Sequence, residues 1–258
     1  ETIEKYGSLS IGAAQKKPEL IIWPETALPF YYGNDTLYSN QVDIYVRKVK
    51  THFLVGSPAF ERGKEKPRFY NRAYMLNPLS LVTGTYDKTH LVPFGEYVPL
   101  ENYLTFLGKI TQQAGNFSAG DKTFVPLAFK DHRTGVLICF EILFPSVARA
   151  FVKNGADLLT TMTNDAWFGQ TPAARQHFSI AVLRAVENRR SVVRAANAGI
   201  SGFIDPGGRV LEETELFTTA AITRPVPTCA RISAILVLRN SAMVQSPGKP
   251  QTWRTKFL

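Results

Sequence analysis

Short, continuous apolar runs alternate with amphipathic stretches along this chain, the pattern of an α/β protein whose strands are covered on both faces. The first eighteen residues set Ile3, Tyr6, Leu9 and Ile11 among polar positions and predict the later part of an amphipathic helix. Leu20-Ile21-Ile22-Trp23 then reads as a strand buried on both faces. Asp35 predicts an N-cap for a helix running to about Lys50, with Leu37, Val42, Tyr45, Val46 and Val49 as its inward stripe. His52 to Ser57 is the next strand, and the basic segment Arg62 to Arg68 reads as a solvated hairpin tip. Phe69 to Leu76 and Leu81 to Tyr86 predict two strands joined at Asn77-Pro78, a turn signal.

Tyr86 to Pro99 carries two prolines and a glycine among aromatics, so it is neither a regular helix nor a central strand. It is expected to be an ordered loop, a setting that carries function disproportionately. Thr123 to Phe129 and Gly135 to Ile138 predict two further strands. Pro145 to Lys153 predicts a helix, with proline at its start and Gly155 just past its end. Asp157 to Met162 is another strand, and Thr171-Pro172 opens a helix reaching about Asn188. Ser191 to Ala196 and Gly199 to Ile204 are strands closed by Asp205-Pro206-Gly207-Gly208.

Composition changes this picture little. A chain of 258 residues with 45% hydrophobic content can bury one sizeable core, and one large α/β domain is the expectation. Cys139 and Cys229 form no C-x-x-C pair, and the four histidines (His52, His90, His132, His177) are scattered, so no metal or other cofactor is expected. No run approaches the ~20 apolar residues that span a bilayer, the best being Ile232 to Leu238. The net charge of +9 invites a nucleic-acid reading, but six basic residues and no acidic ones lie between Arg224 and Leu258. Without them the body has 24 basic against 21 acidic residues, and no basic cluster interleaved with aromatics marks a nucleic-acid surface.

Three residues carry the candidate chemistry. Gly135 to Ile138 delivers Cys139 to a turn, and the helix opened by Pro145 follows. Only a thiolate attacks a carbonyl, and a helix N-terminus favours that anion. The plain alternative is a small core hydrophobe. Glu25 follows the strand Leu20 to Trp23, and Lys88 and Glu96 lie in the Tyr86 to Pro99 loop; alone, they read equally as a loop carboxylate and a surface ion pair. Glu25, Lys88 and Cys139 nevertheless share a feature, since each falls at or just past a strand end, where an α/β sheet brings distant segments together.

Pro24-Glu25-Thr26, Tyr86-Asp87-Lys88-Thr89-His90 and Gly135-Val136-Leu137-Ile138-Cys139 resemble the Glu–Lys–Cys triad segments of the nitrilase, or carbon–nitrogen hydrolase, superfamily. Within it the chain is most similar to the family that N-acylates bacterial apolipoproteins. The residues that carry this are Ile22 to Pro29, the loop His90 to Pro99, Thr163 to Gly169 with Gln176-His177 and Arg184 to Arg190, and Asn197 to Ser201. The resemblance covers about Glu1 to Thr223 and implies a four-layer α-β-β-α sandwich, with the family's first strand, expected ahead of Glu1, missing. It further implies Glu25 as general base, Lys88 as oxyanion holder and Cys139 as the nucleophile that carries the acyl group, with a backbone N–H just after the cysteine assisting. Glu96 would position Lys88 or relay protons. Glu141 lies at a position the family also uses, and Phe140 stands where tyrosine is frequent.

The implied donor is a phospholipid, and the implied acceptor is the α-amino group of a diacylglyceryl-cysteine on an apolipoprotein. The implied setting is the periplasmic side of the bacterial inner membrane, reached through segments absent from this chain. Trp167 and Phe168 are either core aromatics or the wall of an acyl pocket, whereas Asn164 and His177 are expected to be hydrogen-bonders. A soluble amidase of the same superfamily and an inactive fragment are the alternative readings. Arg224 to Leu258 matches nothing in the family and is expected to be a frameshifted or disordered tail that packs poorly.

Overall fold

A computed structural model of the chain describes residues 1–63, 66–93, 95–97, 117–228 and 232–239. Its frame is two six-stranded sheets. The first has the order β11-β12-β1-β2-β3-β4, built from β1 (Leu20–Ile22), β2 (His52–Glu61), β3 (Arg68–Leu76), β4 (Val82–Asp87), β11 (Ala220–Pro227) and β12 (Ile232–Arg239). The second has the order β10-β9-β8-β7-β6-β5, from β5 (Leu127–Phe129), β6 (His132–Ile138), β7 (Leu158–Asn164), β8 (Val192–Asn197), β9 (Gly202–Ile204) and β10 (Val210–Glu213). Parallel triplets, β12-β1-β2 and β6-β7-β8, sit inside each sheet. Antiparallel pairs flank them.

The period-two alternation of a strand sorts β1 between two cores. Leu20 and Ile22 join Leu54, Ala73 and Met75 against residues of the second sheet such as Phe129, Val136 and Ile138. Ile21 and Trp23 face the other way, onto helices α1 (Thr2–Ala13) and α2 (Thr36–Val49). Trp23 is fully buried, stacked on Tyr6 with ring centroids 5.1 Å apart, and its Nε1 donates to Ser10 Oγ at 3.1 Å. Helices α3 (Pro145–Lys153) and α4 (Ala173–Asn188) cover the second sheet through Val147, Phe151, Phe178 and Ala181. Helix, sheet, sheet, helix is therefore the layer order.

The structure corrects four expectations. Leu37 is 65% exposed and falls outside the inward stripe of α2; Val42 and Val46 are buried as expected, Tyr45 and Val49 pack part-buried against the same core, and Ser39 joins them, its Oγ accepting from Gly33 N at 2.9 Å. Residues 123–126 form no strand, and β5 begins only at Leu127. Cys139 reaches a turn and a helix opens at Pro145, as expected, but the 3-10 turn Cys139–Leu143 stands between them, so the helix N-terminus does not follow the cysteine directly. Finally, β11 runs across the expected boundary at residue 223, and β12 lies between β11 and β1 with Ile235 and Val237 buried. A strand with partners on both sides satisfies its backbone, which is why this short apolar run packs in the sheet. Residues 240–258 and Cys229 lie outside the described residues.

Candidate active site

Glu25 is placed by the turn that ends β1. Trp23 N donates to Leu54 O at 2.9 Å, and Leu28 N to Gly56 O at 3.0 Å, so the turn is tied to β2 on both sides. Thr26 takes a left-handed φ of 50°. Gly56 allows the approach, since a Cβ there would lie 2.6 Å from Pro24 O and 2.9 Å from Glu25 Cα. The Glu25 carboxylate is buried. Its Oε1 accepts from Asn71 Nδ2 at 2.7 Å and its Oε2 from Asn164 N at 2.7 Å. Burial raises its pKa; Lys88 opposes that rise, and the Glu96 charge adds to it.

Lys88 follows β4 directly. Its main chain is held by Lys88 N donating to Asn71 O at 2.9 Å and by Gly120 N donating to Lys88 O at 2.9 Å. The ammonium has a side-chain exposure of 1% and lies 2.9 Å from each Glu96 oxygen and 3.7 Å from Glu25 Oε1. Burial works against the charge, but Glu25, Cys139 and Glu96 outweigh it and raise the lysine's pKa, so it stays protonated. Asn71 Nδ2 bridges the carboxylates, reaching Glu96 Oε1 at 3.0 Å as well as Glu25, and Val92 N caps Glu96 Oε2 at 2.9 Å. Phe94, Val98 and Pro99 of the expected loop lie outside the described residues.

Cys139 is buried at the end of β6 with φ 54°, a left-handed conformation that costs a residue with a Cβ on the order of 1–3 kcal/mol. Burial and the Glu25 charge push its thiol up to about 12, while Lys88 and the Thr163 hydroxyl pull the other way. The helix N-terminus lies beyond the 3-10 turn, at Pro145, and the resting group is a thiol. Glu141 anchors the segment from beneath. It is fully buried, its Oε2 accepts from Ile138 N at 2.8 Å, and its Oε1 accepts from Thr89 N, Thr89 Oγ1 and Tyr86 Oη, each at 2.8 Å, and from His90 N at 3.2 Å. One carboxylate thus clamps the strand carrying Cys139 to the loop carrying Lys88.

An aromatic rim adjoins the turn. Phe140, half-buried, lies with its ring centroid 6.3 Å from Phe168 and 5.8 Å from His177. His90 stacks on Phe144 at 4.3 Å. Trp167 is 72% exposed, which removes the core reading for it, whereas Phe168 is half-buried. The structure thus brings together Glu25, Lys88, Glu96 and Cys139, sets Glu141 and Phe140 beside them, and leaves Trp167 in solvent. Sequence reasoning missed Asn71, Thr163 and Arg194. Each sits in a strand that carries other polar residues as well, so nothing local marked it. Among the described residues no group of three or more His, Cys, Asp or Glu is placed to hold a metal ion.

The helix, sheet, sheet, helix sandwich is the nitrilase-type fold. Residues 1–231 match the carbon–nitrogen hydrolase family, and the chain belongs to it. Among curated relatives, the apolipoprotein N-acyltransferase of Geobacter metallireducens is 44% identical over 227 residues, covering 88% of this chain and 43% of that protein. The protein of the same name from Rhizobium rhizogenes is 37% identical, covering 81% of this chain and 40% of its own length. The chain spans less than half the length of these relatives. Two solved structures share the fold: a carbon-nitrogen hydrolase from Helicobacter pylori G27 (TM-score 0.65, 15% identity, 94% of this chain and 85% of that one) and the NitFhit protein of C. elegans (TM-score 0.66, 18% identity, 94% and 57%). A variant amidase from Nesterenkonia sp. AN1, with acrylamide added to its active-site cysteine, aligns with TM-score 0.60 and 18% identity over 92% of this chain and 86% of that one.

Proposed function

We propose that this chain is the catalytic unit of an apolipoprotein N-acyltransferase. Glu25 takes the thiol proton as Cys139 Sγ attacks the ester carbonyl of a phospholipid, and Lys88 with a backbone N–H after Cys139 holds the oxyanion of the tetrahedral intermediate. The ester C–O bond breaks, the lysophospholipid alkoxide takes a proton from Glu25, and a thioester remains. The α-amino group of a diacylglyceryl-cysteine then attacks the thioester, gives up its proton, and releases Cys139 as a thiol. Glu96 and Asn71 position the lysine and the base throughout. Phe168 and Trp167 line the acyl path.

The observation that carries this reading is electrostatic. A buried carboxylate with a raised pKa, a buried ammonium and a buried neutral thiol act on one another's charges, the arrangement a base-activated thiol requires. The names of the curated relatives support the acyltransferase over a hydrolase. The same reading puts the whole protein at the bacterial inner membrane, with this unit on the periplasmic side, as part of the proposal. Among the described residues no helix is long and apolar enough to cross a membrane.

The test incubates full-length protein with phosphatidylethanolamine vesicles and a diacylglyceryl-cysteine peptide, and follows peptide mass. Gain of one acyl chain on the peptide amine, lost in Cys139→Ala, is expected. Release of free fatty acid at an undiminished rate whether or not the peptide is present would instead make the unit a hydrolase.

A further inference from the structure

Against the Cys139 carbonyl lies a second buried charged group that the steps above do not use. Asp165, Arg194 and His177 come from three different elements: the 3-10 turn Asp165–Phe168 just past β7, the middle of β8 and the buried face of α4. Arg194 Nη2 donates to Asp165 Oδ2 at 2.6 Å and lies 3.1 Å from His177 Nδ1, and its Nε donates to Ile200 O at 3.0 Å. His177 Nδ1 is 3.1 Å from Asp165 Oδ1, and its Nε2 is 3.3 Å from the carbonyl oxygen of Cys139. Thr163 Oγ1 donates to Asp165 Oδ1 at 2.9 Å. Gly199 leaves space for the carboxylate, because a Cβ there would collide with the Asp165 side chain.

The Arg194 and Asp165 side chains are wholly excluded from solvent. A buried ion pair of this kind seldom adds net stability over apolar packing, so what it supplies is fixed orientation. The orientation can be read from the partners. A carbonyl oxygen only accepts, so His177 Nε2 carries a hydrogen and donates it to Cys139 O. Arg194 Nη2 has two hydrogens, one for Asp165 and one for Nδ1, which selects that tautomer of the neutral ring. A protonated ring gives its Nδ1 hydrogen to Asp165 instead, and Nε2 still donates to Cys139.

The Cys139 carbonyl shares a planar trans peptide with the Phe140 N–H, and the C=O and N–H bonds point in opposite directions. Whatever fixes one aims the other. The Phe140 amide is also among the first of the 3-10 turn, which have no partner within it. We propose that the Asp165–Arg194–His177 chain is a positioning device: by gripping the Cys139 carbonyl it locks the 139–140 peptide and aims the Phe140 N–H at the oxyanion, opposite Lys88. His177 is thus a positioning residue rather than a hydrogen-bonder of the fold alone. The inference rests on Cys139 being the nucleophile.

The test compares two reactions of the same sulfur in the whole protein. Acylation by p-nitrophenyl acetate builds a tetrahedral oxyanion: the S–C bond forms, p-nitrophenolate leaves, and the thiol proton passes to Glu25. Alkylation by iodoacetamide displaces iodide at a saturated carbon and builds none. His177→Leu is expected to slow acylation on the order of 10²-fold, the loss seen when an oxyanion donor is removed, with alkylation of Cys139 within twofold of the parent. His177→Gln, whose amide can still donate to Cys139 O, is expected to return acylation to within tenfold. Asp165→Asn serves if the leucine variant does not fold and should show the same asymmetry. Equal slowing of both reactions, or acylation left unchanged, would overturn the inference. Acylation that persists in Cys139→Ala would overturn the nucleophile reading beneath it, and the two failures are distinct.

Discussion

Replacing Lys88 with methionine removes the only cation that an ion pair gives Glu25 and Glu96 among the described residues. At an effective dielectric of about 20, the attraction at the observed 2.9 Å to Glu96 is roughly 6 kcal/mol, and at 3.7 Å to Glu25 about 4–5 kcal/mol. Desolvation of a lysine with 1% side-chain exposure offsets much of this, so the net cost of the substitution follows the rule for breaking a buried pair, about 3–5 kcal/mol. The sign of its pH dependence is fixed. Without the lysine, Glu25 loses the charge that opposes its raised pKa, and that pKa climbs further above the unfolded value of about 4.3. Groups raised in this way leave stability intact below the unfolded value and remove it as pH climbs through the folded value. The deficit of Lys88→Met against the parent should therefore be small near pH 5 and complete near pH 8. Urea denaturation of both proteins at the two pH values, with m unchanged, measures it. A deficit equal at both pH values, or larger at pH 5, would refute the assignment of Lys88 as counter-ion to both carboxylates.

Two further substitutions separate positioning from chemistry. Glu25→Gln removes a charge that pushes the Cys139 thiol up, so its pKa should fall below about 12 while acyl transfer is abolished. Thiolate absorbance against pH reads this directly, and an unmoved or higher value would contradict the coupling. Glu141→Leu strips the acceptor from the amides of Ile138, Thr89 and His90, each buried donor costing about 1–3 kcal/mol. A stability loss of about 3–5 kcal/mol with loss of activity is expected by denaturation and by acylation assay. A loss under about 1 kcal/mol would show that the clamp between the two segments is made elsewhere.

Helix α3 was legible to the residue because Pro145 and Gly155 bracket it, and the hairpin of β3 and β4 because Asn77-Pro78 punctuates it. Glu25, Lys88 and Cys139 stood out because chemistry-bearing residues sat at the ends of strands. What escaped was set by partners distant in sequence. Asn71 meets Glu25 across 46 residues, and the Asn164 amide meets it across 139, so neither has a local signature. Arg194 reads as an exposed break in an apolar strand until Asp165 is seen beside it. The strand β12 was misjudged for the same reason: its pairing to β1 joins residues from opposite ends of the chain. At Cys139 the turn and the Pro145 helix were legible, whereas the left-handed backbone and the burial of the thiol had no local signature.

The central claim is that Cys139 carries the acyl group. Intact-mass and peptide mass spectrometry of full-length protein incubated with phosphatidylethanolamine, in the absence of an amine acceptor, tests it most directly. A mass gain of one acyl chain mapped to Cys139 is expected, absent in Cys139→Ala and in Glu25→Gln and discharged by adding a diacylglyceryl-cysteine peptide. An unmodified Cys139 in protein that still acylates the peptide would contradict it.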